Sequence, residues 1–90
     1  MDDEISQITY ETDVAKADVE FTLTTERRMM LLIIENRLNR TLYMNAGMRV
    51  PERDQLVKTR IMPVQPKLPD FEFWPHPVLQ LALRNFRLHQ

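Results

Sequence analysis

The sequence predicts a mainly α-helical fold, with a mixed α+β fold as the alternative. Two kinds of observation lead to this prediction. One long segment around "MMLLII" is rich in Met, Leu, Arg and Glu, and two later segments begin with proline, at Pro51 and Pro77. Ninety residues form one domain, 1–90, near the size at which a single core only just suffices. We expect a long central helix, two shorter helices, an extended arm and short N-terminal β-strands.

The N-terminal segment is acidic and carries two short alternating patterns. We expect residues 1–7 to form a flexible acidic tail. Apolar residues then occupy alternate positions in two runs, Ile8 to Val14 and Val19 to Leu23, as in half-buried strands. The intervening "AKAD" lacks Gly, Asn and Pro, so a short helix across Asp13–Val19 is the competing interpretation.

The central segment predicts one long helix from about Thr25 to Asn45. Thr24 or Thr25 can cap its start, and Gly47 follows its end. Six consecutive apolar residues, 29–34, would cover all sides of such a helix. We therefore expect this part to be buried on several sides, either by its own chain or by a partner chain.

Two shorter helices are expected downstream. The first is "PERDQLVKTRIM", where Pro51 suits the first helical position. The second follows Pro77 in "HPVLQLALRNFRLHQ", with His76 as its cap. Its apolar residues recur at helical spacing: Leu79, Ala82, Leu83 and Phe86.

Residues 63–76, here called the arm, are predicted to be extended. Pro63, Pro66 and Pro69 recur every three residues, the period of a polyproline II helix. The arm also holds a cluster of aromatic residues: Phe71, Phe73 and Trp74. Such large apolar side chains need cover, either from helices of the same chain or from a partner that takes the arm as an extended peptide. Recognition of "PVQPKLP" by an SH3-type module is a further alternative.

Residue types that carry chemistry are scarce, so we expect no enzyme, no cofactor and no metal site. The chain has no cysteine and a single glycine, which excludes thiolate chemistry and Gly-rich nucleotide loops. Its only serine, Ser6, lies in the predicted tail. His76 and His89 lack the short spacing of a histidine metal site.

The charge is unevenly distributed and raises nucleic-acid binding as the alternative function. Residues 1–23 carry seven acids and one base, whereas residues 24–90 carry eleven bases and six acids. Arginine suits phosphate or an acidic partner. The candidate contacts are Arg27, Arg28, Arg37 and Arg40. A helix-turn-helix could be built from "NAG" and "MRVPERDQLVKTRI", but the pI near 6 is low for a dedicated binder.

These observations together predict a non-enzymatic protein–protein interaction module. It would act as a small adaptor, inhibitor or assembly subunit, as a homo-oligomer or within a larger assembly. The predicted partner-binding residues are Phe71, Phe73, Trp74, Met29 and Met30. The acidic start and the lack of a long apolar run favour the cytoplasm, or a virion assembled there, over a membrane. From the small size alone, we expect a bacterial or phage origin.

Overall fold

The computed structural model describes residues 2–5, 7–9 and 11–89, and the regular secondary structure of this part is nearly all β-strand. The prediction of a mainly helical protein is therefore wrong. The strands are β1 (Asp2–Glu4), β2 (Val19–Glu26), β3 (Met29–Asn36), β4 (Leu42–Arg49), β5 (Val57–Thr59), β6 (Pro69–Trp74) and β7 (Gln80–His89). A single 3-10 turn covers Val14–Lys16, where a short helix is the alternative prediction. In this described part, no helix is long and apolar enough to cross a membrane.

The strands form two antiparallel sheets. One sheet has four strands in the order β1-β7-β4-β5, and the other has three in the order β2-β3-β6. The predicted alternating run from Val19 to Leu23 is confirmed as part of β2. The predicted tail 1–7 contains β1, and its Met1 and Ser6 lie outside the described residues. Tyr10, in the other run predicted as a strand, also lies outside them.

The predicted central helix is replaced by a β-hairpin and a third strand. Residues 25–45 form the end of β2, a two-residue turn, β3, a connection and the start of β4. Side chains alternate along β3, where Met30, Leu32 and Ile34 are buried. Because the run is apolar on both faces, its periodicity does not distinguish a strand from a buried helix. Its pairing with β2 and β6, and its β-branched Ile33, favour the strand.

Arg27 and Arg28 form the turn between β2 and β3. Their φ angles are 49° and 67°, in the left-handed region that a type I′ hairpin turn requires at both central positions. Asparagine and glycine are the usual residues there, because other side chains cost roughly 1–2 kcal/mol each in this conformation. The ordinary sequence signal for a hairpin is therefore missing, and the pattern of residues 25–45 indicates a continuous helix instead.

The predictions of two shorter helices, over residues 51–62 and after Pro77, are also wrong. Residues 51–62 contain a turn at Pro51 and Glu52, the short strand β5 and an extended segment. Glu52 has a φ of 72°, which is incompatible with a continuous right-handed helix. The residues after Pro77 lead into β7, which pairs with β4 on one side and β1 on the other.

A β-bulge explains why the sequence of β7 has a helix-like pattern. The register of β7 shifts between Tyr43 and Asn45 of β4, and Asn85 beside the shift has a φ of 57°. The partly buried residues of β7 that pack against the core are Leu81, Leu83, Phe86 and Leu88. The inward positions therefore step by two, then by three, then by two. A step of three across the bulge has the spacing of one helical turn.

The core is formed by residues of both sheets and of the arm. Its buried members are Met30, Leu32, Ile34, Leu42, Met44, Ala46, Ile61, Val64, Trp74 and Val78. Asn36 is the buried polar residue of the described chain, at 2% exposure. Its amide nitrogen donates to the carbonyls of Arg40 and Val64, at 2.8 and 3.0 Å, and its oxygen accepts from the N–H of Leu38 at 3.0 Å. These bonds fix the β3–β4 connection against the first half of the arm.

Candidate functional site

The three-stranded sheet has one face turned away from the core. Six side chains occupy the middle of this surface, which we call the outer face: Thr22, Thr24, Leu31, Ile33, Phe71 and Phe73. Leu31 lies between Thr24 and Phe73, and Ile33 lies between Thr22 and Phe71. Directly paired residues of an antiparallel sheet point to the same side. The apolar side chains therefore form a continuous surface over β3 and β6, bordered by threonines on β2.

The aromatic rings on the outer face are strongly exposed. Phe71 is 61% exposed and Phe73 is 56% exposed. Met29 adds a further exposed apolar side chain at the end of β3. Single exposed apolar residues are common, but a contiguous group on one sheet face is typical of an interaction surface.

Strand alternation divides the predicted partner-binding residues into two sets. Phe71, Phe73 and Met29 point outwards, whereas Met30 and Trp74 form a cross-strand pair in the core. The indole N–H of Trp74 donates to the hydroxyl of Thr59 at 3.0 Å. Trp74 thus closes the core and ties β6 to β5, the end strand of the other sheet.

The two ends of the outer face carry different charges. At one end, the Arg37 guanidinium lies 2.6 Å from Glu20 and 2.9 Å from Glu35. Lys67 donates to the Arg37 carbonyl and the Asp18 carbonyl accepts from the Arg37 N–H at the same end, so three acids and two bases leave one excess negative charge. At the other end, Glu26 precedes the two arginines of the hairpin turn, which leaves one excess positive charge. We call these the acidic end and the hairpin end.

The structure also separates the four arginines predicted to contact nucleic acid or an acidic partner. Arg37 bridges two carboxylates at the acidic end. Arg40 lies 2.7 Å from Asp3 and donates to the carbonyls of Leu88 and His89, so it fastens β1 and β7 to the β3–β4 connection. Among the described residues, Arg27 and Arg28 make no side-chain hydrogen bond or ion pair. Of the four arginines, these two can therefore offer a charge to a ligand of the outer face.

A pair of carboxyl groups lies on the opposite side of β6, facing the core. Asp70 and Glu72 alternate with the phenylalanines and stand across from Ile34 and Leu32. Burial, then a hydrogen bond and charge repulsion from Asp70, raise the pKa of Glu72 to about 7, against the opposing effect of the Met62 N–H. Within the described chain, Oδ2 of Asp70 is buried without a hydrogen-bond donor. A protonated Glu72 can supply a donor to this carboxylate.

This pKa shift has a definite consequence for stability. Between about pH 4.5 and about pH 7, the folded chain retains a proton on Glu72 that the unfolded chain has lost. The free energy of unfolding therefore falls as pH rises across this interval. On an extended arm, neighbouring acids such as Asp70 and Glu72 are expected to be solvated. Their period-two alternation with Phe71 and Phe73 places them on the opposite side of a strand, and the buried Trp74 shows that this side faces the core.

The sequence predicts no catalytic or metal-binding arrangement. The described residues contain no group of three or more His, Asp or Glu side chains able to hold a metal ion. His76 does not cap a helix, because none follows it in the described chain; its Nδ1 lies 3.1 Å from the carbonyl of Pro77. No family model matches this sequence, and neither a curated protein nor a solved structure matches the chain.

Proposed function

We propose that this chain is a non-enzymatic protein-binding module whose binding surface is the outer face of the three-stranded sheet. The observation that carries the proposal is the exposure of Phe71 and Phe73 at alternate positions of one paired strand. Leu31 and Ile33 extend the same apolar surface. The function would be that of a small adaptor, inhibitor or assembly subunit.

The position of the rings on a strand favours binding. Full burial of a phenylalanine side chain contributes about 1.5–3 kcal/mol relative to full exposure, and more than half of each ring is still available. Because β6 is paired with β3 along its length, its backbone is already ordered before a partner arrives. Binding therefore requires little further loss of backbone entropy. Less of the free energy of burial is therefore offset by ordering than on a flexible segment.

Single-stranded nucleic acid is the second candidate ligand. Aromatic rings on an open sheet face can stack on bases, and Arg27 and Arg28 lie at one end of the same face. The acidic residues Glu20, Glu26 and Glu35 lie on this face as well, and they oppose a phosphate backbone. The charge distribution therefore favours a protein partner.

The proposal is tested by affinity capture from the source cell with three tagged chains. These are the wild type, Phe71→Ser/Phe73→Ser, and Leu56→Ser as a control. Leu56 is an exposed apolar residue in the connection between β4 and β5, which belong to the other sheet. Both variants should remain folded, with a moderately lower melting temperature at most, because the altered side chains are largely exposed.

We expect the wild type and the control to capture the same proteins. The double variant should fail to capture at least one of them, or should bind it at least about tenfold more weakly. Identical sets of captured proteins for all three chains would reject the outer face as the binding surface. Capture of RNA or DNA that disappears at physiological salt and with the double variant would favour the second candidate ligand.

A further inference from the structure

We infer that the partner of the outer face is a second copy of this chain, packed face to face with its strands running in the opposite direction. The inference rests on the proposed function and specifies the partner. It follows from the way in which apolar, polar and charged residues are distributed over the face.

Two-fold symmetry allows two simple ways of packing this sheet on a copy of itself. In both, the two-fold axis lies in the plane between the two sheets. If this axis is perpendicular to the strands, each strand lies over the same strand of the partner, with its direction reversed. Phe71 and Phe73 then meet the aromatic strand of the second copy, and the threonines of β2 meet threonines. If the axis is parallel to the strands, β6 lies over β2, and aromatic rings meet Thr22 and Thr24. Matching of apolar with apolar side chains favours the perpendicular axis.

The charges at the two ends favour the same arrangement. A perpendicular axis places the hairpin end of each copy over the acidic end of the other. Arg27 and Arg28 then approach the cluster of Glu20, Glu35 and Arg37, and this contact occurs twice in the dimer. A parallel axis would place like ends together. Complementary charges fix the orientation of two surfaces more effectively than apolar contact does.

The conformation of the hairpin turn supports a role for its arginines. Both occupy left-handed backbone positions that Asn and Gly fill with less strain. Within the described chain neither side chain has a polar partner, so intramolecular contacts do not explain arginine at these positions. Strained residues of this kind are often found where they serve binding. In the proposed dimer, both arginines have carboxylates opposite them.

The size of the face indicates a weak dimer. Three strands of about six residues cover a surface about 15 Å wide and about 20 Å long. Two copies would then bury about 600 Å² of this area, roughly half of the 1,200 Å² at which stable interfaces begin. We expect a dissociation constant on the order of 100 µM. The association should therefore depend on concentration over an accessible range.

Sedimentation velocity of the full chain, from about 10 µM to about 1 mM, tests the inference. Besides the wild type, it uses an acidic variant, Arg27→Glu/Arg28→Glu, and a basic variant, Glu20→Lys/Glu35→Lys. Each variant has the same sign of charge at both ends, so its homodimer should be at least about tenfold weaker. An equimolar mixture should recover dimers at about the wild-type affinity. Glu35→Lys alone replaces the basic variant if thermal melts show that the latter is unfolded.

The outcomes separate the two proposals. If the wild type stays monomeric at about 1 mM, the inference that the partner is a second copy is overturned. The capture experiment then still decides the proposed function. Wild-type dimers without recovery in the mixture overturn the antiparallel arrangement. Dimers that persist in Phe71→Ser/Phe73→Ser reject the outer face for self-association. Dimers that form only with an added oligonucleotide also overturn the inference.

Discussion

Replacing Trp74 by alanine tests the division of β6 into a core-facing and an outward-facing side. Trp74 is 7% exposed and its indole N–H is bonded to Thr59, whereas its neighbour Phe73 is 56% exposed. Removing a buried aromatic ring costs about 3–5 kcal/mol. The same truncation at Phe73 should cost less than about 1 kcal/mol, since most of its ring is already in water.

These free energies correspond to a large difference in melting temperature. For a domain of this size, 1 kcal/mol shifts the midpoint by about 4–8 °C. Trp74→Ala should therefore lower it by more than about 12 °C, or unfold the chain, while Phe73→Ala lowers it by only a few degrees. Circular dichroism melts at low protein concentration, where a dimer contributes little, measure both variants. Equal destabilisation by the two substitutions, or a larger effect of Phe73→Ala, would refute the assigned orientation of β6.

Three further predictions concern stability. Glu72→Gln should remove most of the decrease in the free energy of unfolding between about pH 4.5 and about pH 7. It should also stabilise the chain by about 1 kcal/mol at pH 8, where the amide can donate to Asp70. Urea titrations at several pH values check this, and an unchanged pH dependence would contradict it. Arg27→Asn/Arg28→Gly should raise the free energy of unfolding by about 1 kcal/mol through relief of the strained turn, and a lower midpoint in urea would be inconsistent with that turn. Asn36→Ala should cost about 2–4 kcal/mol, because it removes three hydrogen bonds and takes the side-chain partner from the Arg40 carbonyl and the Leu38 N–H; the Val64 carbonyl still accepts from Leu42. A melt close to that of the wild type would mean that these bonds contribute little.

Part of the fold can be predicted from the sequence. The alternation of Val19, Phe21 and Leu23 identifies β2, because one side of that strand is polar. The strand β3 cannot be identified in this way, since Leu31 and Ile33 are as apolar as the core residues beside them. The outward positions are apolar because they form the outer face, so the candidate binding surface itself obscures the strand pattern.

The remaining errors have local causes. Arg27 and Arg28 form a hairpin turn without the usual turn residues, and the bulge at Asn85 gives β7 a helix-like spacing. Within the arm, β6 is a paired strand, whereas the proline spacing alone indicates only an extended segment. Period two in "DFEFW" places Phe71 and Phe73 on one side of this strand and the residues between and beside them on the other. The alternation within this short stretch therefore separates the two sides of β6, but only the structure shows that the side with Trp74 faces the core.

The central claim is that the chain associates with a second copy of itself through the outer face. Methyl NMR spectra of the wild-type chain, recorded from about 10 µM to about 1 mM, test it most directly. Leu31 and Ile33 point outwards, whereas their neighbours Leu32 and Ile34 are buried in the core. We predict that the methyl signals of Leu31 and Ile33 shift with concentration, while those of Leu32 and Ile34 stay nearly constant. Shifts confined to another surface, or no shift at any position, would contradict the claim.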